Sequence, residues 1–284
     1  MFKTRLLSGI ALVLVALITI TYGSWALAGI LALISLLGYL ELTRACKVNT
    51  QEGEHSVYLY RKNGLEMVGI LAIIGYYAAM LAGASQTILV MVVVFAFIAT
   101  LFVYVFSYPK FQSNQVMSAY FAFLYAPVML SFIYLTRTLE SGEYLVWLIF
   151  LASWGCDTCA YCVGMLFGKT IGNHKMSPKL SPKKSIEGAV GGVVGATLLG
   201  VLYAVLLVEK KIPDQNITWV FALICGVGAL ISMVGDLAAS AIKRNHNIKD
   251  YGHCIPGHGG IMDRFDSVIV TAPIIYFLSV LILK

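Results

Sequence analysis

Asp236, Ser240, Lys243 and Arg244 stand at i, i+4, i+7 and i+8 in the run MVGDLAASAIKR, so on a helix they share one face. An acid, a hydroxyl and two cations on one stripe suit a metal-bound phosphate: carboxylate for the cation, the rest for phosphate oxygens. The competing reading is a Lys–Arg pair snorkelling at a helix end with Asp236 salt-bridged. It is weaker for Asp236, which lies several residues inside an apolar run. Further on, PGHGGIMDRFD supplies Gly257, Gly259 and Gly260, which let backbone approach a ligand closely. Asp263 and Asp266 follow, three apart and able to share a helix face. Amides at such a helix start favour anionic ligands. Clustered carboxylates with little sulfur or imidazole point to Mg²⁺ rather than zinc. His258 reads equally well as a phosphate contact or as a cap on the turn.

A third polar stretch runs over residues 157–188. Asp157 sits in an apolar segment with Tyr161 one turn later. SPKKSIEG then brings Lys183, Lys184 and Ser185 beside Glu187 at the mouth of the next apolar run. A lysine pair at a membrane surface is usually an anchor, and phosphate binding competes with that reading here. Cys156, Cys159 and Cys162 have the C-x2-C-x2-C spacing of iron–sulfur ligands, but they lie in a hydrophobic helix without a nearby fourth thiolate and read as packing residues. There is no G-x4-G-K-[ST] loop and no G-x-G-x-x-G after a strand. Phosphate chemistry would therefore be organised by cations and membrane-facing carboxylates, since transfer between phosphates needs charge neutralisation and in-line positioning more than covalent help.

The elements that must position these groups are membrane helices. Of the 284 residues 59% are hydrophobic and 12% charged, with mean hydropathy +0.84. Soluble domains average about 25% charged residues. The fold class is thus all-α, a polytopic integral membrane helical bundle. Nine spans are expected, at 6–21, 24–40, 64–82, 86–106, 117–135, 144–166, 186–208, 217–239 and 267–283, the first retained as a helix rather than cleaved as a signal peptide. With the amino terminus cytoplasmic, 16 of the 20 basic residues fall on the inner face and Arg137, Lys210, Lys211 and Lys284 on the other, as the positive-inside rule requires. Residues 240–266 then lie between two apolar runs on the cytoplasmic side, where ionisable groups are expensive and mark a site. The net charge of +6 suits phosphates and anionic lipid surfaces; no basic–aromatic patch suggests nucleic acid. The chain reads as a single membrane domain over 1–284, with amino-terminal spans in 1–143 and the polar chemistry in 144–284.

These residues resemble the CTP:phosphatidate cytidylyltransferases, or CDP-diacylglycerol synthases. The family's carboxy-terminal pattern, S-x-(aliphatic)-K-R-x4-K-D-x-(small)-x2-(aliphatic)-P-x-H-G-G-(aliphatic)-x-D-R-x-D, is met by Ser240, Ile242, Lys243, Arg244, Lys249, Asp250, Gly252, Ile255, Pro256, His258, Gly259, Gly260, Ile261, Asp263, Arg264 and Asp266 without departure. Blocks at 157–169 and 181–188 are similar to the family too; in the amino-terminal half only the run of spans and Glu41, closing the second, match. The resemblance implies Mg²⁺-dependent transfer of CMP from CTP to phosphatidic acid, giving CDP-diacylglycerol and pyrophosphate for phospholipid biosynthesis. It implies Asp236 and Asp263 as principal metal carboxylates with Asp266 beside them, and allows a second cation. Lys243, Arg244, Lys249 and Arg264 would hold phosphates, with Ser240, His258, Gly259 and Gly260 lining the site and Asp157, Lys183, Lys184, Ser185 and Glu187 completing the polar funnel. Expected partners are CTP, phosphatidic acid and membrane phospholipids, with a homodimer compatible; the expected place is the cell membrane, active site facing the cytoplasm. The alternatives are a CTP-dependent polyprenol-type lipid kinase and a non-enzymatic membrane transporter.

Overall fold

The computed structural model describes residues 2–49, 63–167, 174–212, 216–254 and 259–283. Among them are nine helices: α1 (Phe2–Tyr22), α2 (Ser24–Ala45), α3 (Gly64–Leu81), α4 (Gln86–Phe106), α5 (Ser113–Arg137), α6 (Gly142–Leu166), α7 (Ile186–Val208), α8 (Ile217–Asn245) and α9 (Met262–Ile282). Helices α2 to α9 are each long and apolar enough to cross a membrane; in α1 only the shorter stretch Ala11–Tyr22 is picked out as apolar. This is an all-α polytopic membrane protein, because a chain this apolar must satisfy its backbone polar groups internally. One departure is a two-stranded antiparallel hairpin, β1 (Lys175–Ser177) and β2 (Ser181–Ser185), with Lys175 opposite Ser185 and Ser177 opposite Ser181.

Three helix ends differ from expectation by five residues or more, the first being α2, which runs past 40 to Ala45. Helix α8 runs past 239 to Asn245, and α9 starts at Met262 rather than 267. Hydropathy locates hydrocarbon, whereas helix continues through polar residues that carry good helix propensity, such as Lys243 and Arg244. Three π-helical turns interrupt the α pattern: Leu124–Val128 in α5, Leu151–Gly155 in α6 and Ala204–Val208 ending α7.

The chain groups into two compact units, Met1–Ser131 with His246–Arg264, and Phe132–Asn245 with Phe265–Lys284. In the first, Asn63 caps α3 by accepting from Glu66 N at 2.9 Å. The buried Glu66 carboxylate in turn accepts from Thr43 Oγ1 at 2.9 Å and from Asn49 Nδ2, so the end of α2 and the start of α3 are tied together. Within α5, the carbonyl of Pro127 in the π turn accepts from Tyr77 Oη at 3.2 Å. Helix α4 buries only Leu89, Ala96 and Thr100, the pattern of a helix that meets lipid on most sides.

In the second unit, small residues bring helices close. An added Cβ at Gly188 would lie 3.0 Å from the Ala160 carbonyl oxygen, and one at Gly192 2.9 Å from that of Cys156, so α7 lies directly against α6. Cys156 packs with Ala196, Ala229 and Met233 in this contact, and it, Cys159 and Cys162 are free thiols. Helix α9 meets α8 at Gly235, where a Cβ would be 2.9 Å from the Asp266 carbonyl oxygen and 2.6 Å from Val270 Cγ2.

Candidate functional site

The polar groups of the second unit gather where these close helix contacts place them. The α6–α7 contact puts Asp157 of α6 near β2, which leads straight into α7. Ser185, at the end of β2, caps α7 by accepting from Gly188 N at 3.1 Å. Lys184 just before it ends on Asp236 of α8, forming an ion pair with Oδ2, while Ser240 Oγ reaches Oδ1 at 3.5 Å. The helical continuity of α8 thus brings Asp236 and Ser240 together, one turn apart, as their spacing predicts. Asp157 Oδ2 accepts from Ser267 Oγ at 3.3 Å, with Lys184 and Asp236 within electrostatic reach. Asp266, held beside α8 by the Gly235 contact, interacts with the charges of Asp236, Lys243 and Asp157. Three carboxylates, two ammonium groups and two hydroxyls therefore share one electrostatic neighbourhood, all of them only partly exposed or buried.

In the first unit, the loop before α9 is fastened by carboxylates. Asp263, 9% exposed, accepts through Oδ2 from Tyr251 N at 2.8 Å and Gly260 N at 3.1 Å. Gly259 has φ +85°, a conformation that L side chains rarely adopt, and its backbone passes against the Asp263 carboxylate. The buried carboxylate of Glu41, from α2, accepts from Ile261 N and Met262 N. Lys249 and Asp250 of this loop are exposed, and Arg264 is half-buried.

The sequence-predicted residues are therefore distributed in a definite way. Asp157, Lys184, Asp236, Ser240, Lys243 and Asp266 come together in the second unit. Asp263, Gly259, Gly260, Lys249 and Arg264 belong to the first, so the expected Asp236–Asp263 pair divides between the units. Lys183 and Arg244 are exposed. Gly257 and His258 lie outside the described residues. Ser267, Tyr251 and the backbone role of Glu41 were not anticipated. Glu41 carried a signal, being an acid in an apolar run, whereas Tyr251 meets Asp263 through its main-chain N–H, a contact that side-chain reasoning does not see.

Among the described residues, no three His, Cys, Asp or Glu side chains converge tightly enough to chelate a metal alone. Mg²⁺ asks for less, since it is typically held by one or two carboxylates together with substrate phosphates and water. The donors here are carboxylate and hydroxyl oxygens, the hard ligands that suit it. Asp236 and Asp266, with Asp157 behind them, fit such a partial site, and Lys184 already balances part of their charge.

Comparison with known proteins places this chemistry among named relatives. A family model described as "Cytidylyltransferase family" matches residues 3–282. The chain is 34% identical over 158 residues to a protein named phosphatidate cytidylyltransferase from Rickettsia felis, covering 55% of this chain and 67% of that one. A protein of the same name from Rickettsia bellii is 35% identical over 168 residues, covering 58% and 71%. One from Staphylococcus saprophyticus is 32% identical over 158 residues, covering 55% and 56%.

Proposed function

Because this chain belongs to the cytidylyltransferase family, we propose that it is a phosphatidate cytidylyltransferase, which transfers CMP from CTP to phosphatidic acid and releases pyrophosphate. A phosphate oxygen of the lipid attacks the α-phosphorus of CTP; a new P–O bond forms as the bond to the β-phosphate oxygen breaks, and the electron pair leaves with pyrophosphate. The nucleophile is already ionised near neutral pH, so no strong general base is needed. This agrees with a neighbourhood built of charges rather than of a nucleophile–base pair. The observation that carries the reading is the joining of Asp157, Lys184, Asp236, Lys243 and Asp266 in one polar neighbourhood.

Asp236 and Asp266 would hold Mg²⁺. When bound, the ion supplies charge neutralisation for the triphosphate and its leaving group. Lys184 and Lys243 then offer ammonium groups to phosphate oxygens, and Lys183 and Arg244 widen that cationic surface; for Lys249 and Arg264 the resemblance implies phosphate binding too. Ser240 and Ser267 hold the Asp236 and Asp157 carboxylates in orientation. We place this site on the cytoplasmic face of the cell membrane, where a water-soluble nucleotide meets a lipid headgroup; the distribution of Lys and Arg between loops supports that orientation.

The test is incubation of the purified protein with CTP, Mg²⁺ and phosphatidic acid. Lipid-dependent pyrophosphate release with formation of a CMP-bearing lipid is expected. Folded protein giving CDP and a newly phosphorylated lipid acceptor would make it a kinase, and no turnover at all would remove the enzymatic reading.

A further inference from the structure

Glu41 lies near the end of α2 in an apolar run and is 6% exposed. A carboxylate buried there without partners would be costly. Its partners are two consecutive main-chain amides: Oε1 accepts from Ile261 N at 3.1 Å and Oε2 from Met262 N at 2.9 Å. These are orphan donors at the start of α9. A helix start commonly takes its cap from a Ser, Thr, Asn or Asp a few residues away. Here a carboxylate from another helix, 220 residues distant in sequence from Ile261, does that work with both oxygens. Arg44, three residues on, lies within electrostatic reach of it.

The loop is shaped around this group. A Cβ at Gly260 would fall 2.5 Å from Glu41 Oε2, and one at Gly252 would also overlap the carboxylate. Counting Asp263, the successive amides of Gly260, Ile261 and Met262 and the amide of Tyr251 all end on two carboxylates. Those bonds fix the path of residues 259–262 and the angle at which α9 presents Asp263 and Arg264. We infer that Glu41 is a positioning residue for the glycine loop and the Asp263–Arg264 pair, acting through the backbone and not on substrate. The inference rests on the cytidylyltransferase reading for its consequence in turnover, and on the hydrogen-bond geometry for its structural content.

The experiment compares wild type, E41Q, E41D and G260A in the same nanodiscs, reading steady-state kinetics and hydrogen exchange over residues 251–265. Gln keeps the size but turns an amide donor toward a backbone N–H. The E41Q kcat per folded molecule should fall about 10- to 100-fold, the scale of a misplacement near 1 Å. KM for CTP should stay within about threefold, because the groups displaced act in the transition state. Exchange over 251–265 should rise at least about tenfold while α3 and α7 stay protected, as local opening requires. E41D, which keeps the charge on a shorter arm, should recover part of both effects, and G260A should repeat the E41Q signature from the loop side. Faster exchange with unchanged kcat would overturn the inference by making Glu41 merely structural. Lower kcat with unchanged exchange would overturn it by requiring a direct role. If wild type makes no CMP-lipid, the cytidylyltransferase reading fails; exchange then decides the bracing of the loop, and wild-type exchange in both E41Q and G260A would overturn it.

Discussion

Lys184 and Asp236 form an ion pair between strand β2 and helix α8, with Ser240 on the other carboxylate oxygen at 3.5 Å. Both partners remain partly open to solvent, so the pair need not stay closed when charged ligands arrive. If each partner serves its own part of the reaction, reversing the charges should not restore function. K184A and D236N are each expected to lower turnover by about 100-fold or more, the scale of a lost charge-stabilising group. The double variant K184D/D236K should insert at wild-type levels yet stay as inactive as either single variant. Recovery to within about tenfold of wild type would instead give the pair a purely structural role.

Asp263 combines charge with scaffolding, and two substitutions separate them. D263N retains an oxygen able to accept from Tyr251 N and Gly260 N, so its thermal midpoint in detergent should match wild type while turnover falls about 100-fold. D263A leaves two amides without their acceptor. It should lose turnover and also unfold at lower temperature, by the about 1–3 kcal/mol typical of unsatisfied buried groups. Equal midpoints for the two variants would show that the loop does not depend on this carboxylate.

Much of this arrangement could be read in the chain, and what could not has physical causes. Hydrophobic runs gave eight of the membrane helices within a few residues, because lipid leaves the backbone no alternative. The i, i+4 spacing of Asp236 and Ser240 gave their contact directly. The hairpin at 175–185 was not legible: its strands are short, and Pro178 and Pro182 suggest a loop. Nor could sequence show that Asp157 would meet Ser267, since that contact depends on how α6 and α9 pack. The joint metal role of Asp236 and Asp263 is implied by resemblance alone; within its own unit Asp236 pairs with Lys184 and is linked electrostatically to Asp266.

Helix contacts can be tested by adding one methyl group. G235A forces a Cβ against Val270 Cγ2 and the Asp266 carbonyl oxygen, an overpacking of about 1–3 kcal/mol. Its thermal midpoint should fall, and turnover should fall with it because Asp266 is displaced. G75A, on α3, meets nothing within 4 Å and should be silent in both measurements. A stable, active G235A would show that α8 and α9 are not held at this distance.

Native cysteines report orientation. Cys254, in the loop before α9, is exposed, while Cys46, just after α2, is half-buried. Burial pushes the Cys46 thiol up, an effect opposed in part by a hydrogen bond with Ser118. A higher pKa means less thiolate at neutral pH, so an impermeant maleimide should modify Cys254 first. Labelling of Cys46 should gain more from raising the pH from about 7 to about 9. With a cytoplasmic active site, both should react in inverted vesicles and neither in intact cells. Labelling of Cys254 from outside would reverse the topology.

The π turn Leu151–Gly155 ends two residues before Asp157. Such a turn accommodates one surplus residue in a helix without breaking it, and one residue is about 100° of rotation. The segment carrying Asp157 and Tyr161 is thus turned by roughly a quarter of a circle relative to the direction the preceding helix would have given it. Angular bookkeeping done on the letters alone fails across this point. It also makes residues 151–155 a dial: deleting one of them should leave a helix of ordinary pitch whose acid keeps its present direction, whereas straightening the turn with all five residues in place would face it the wrong way.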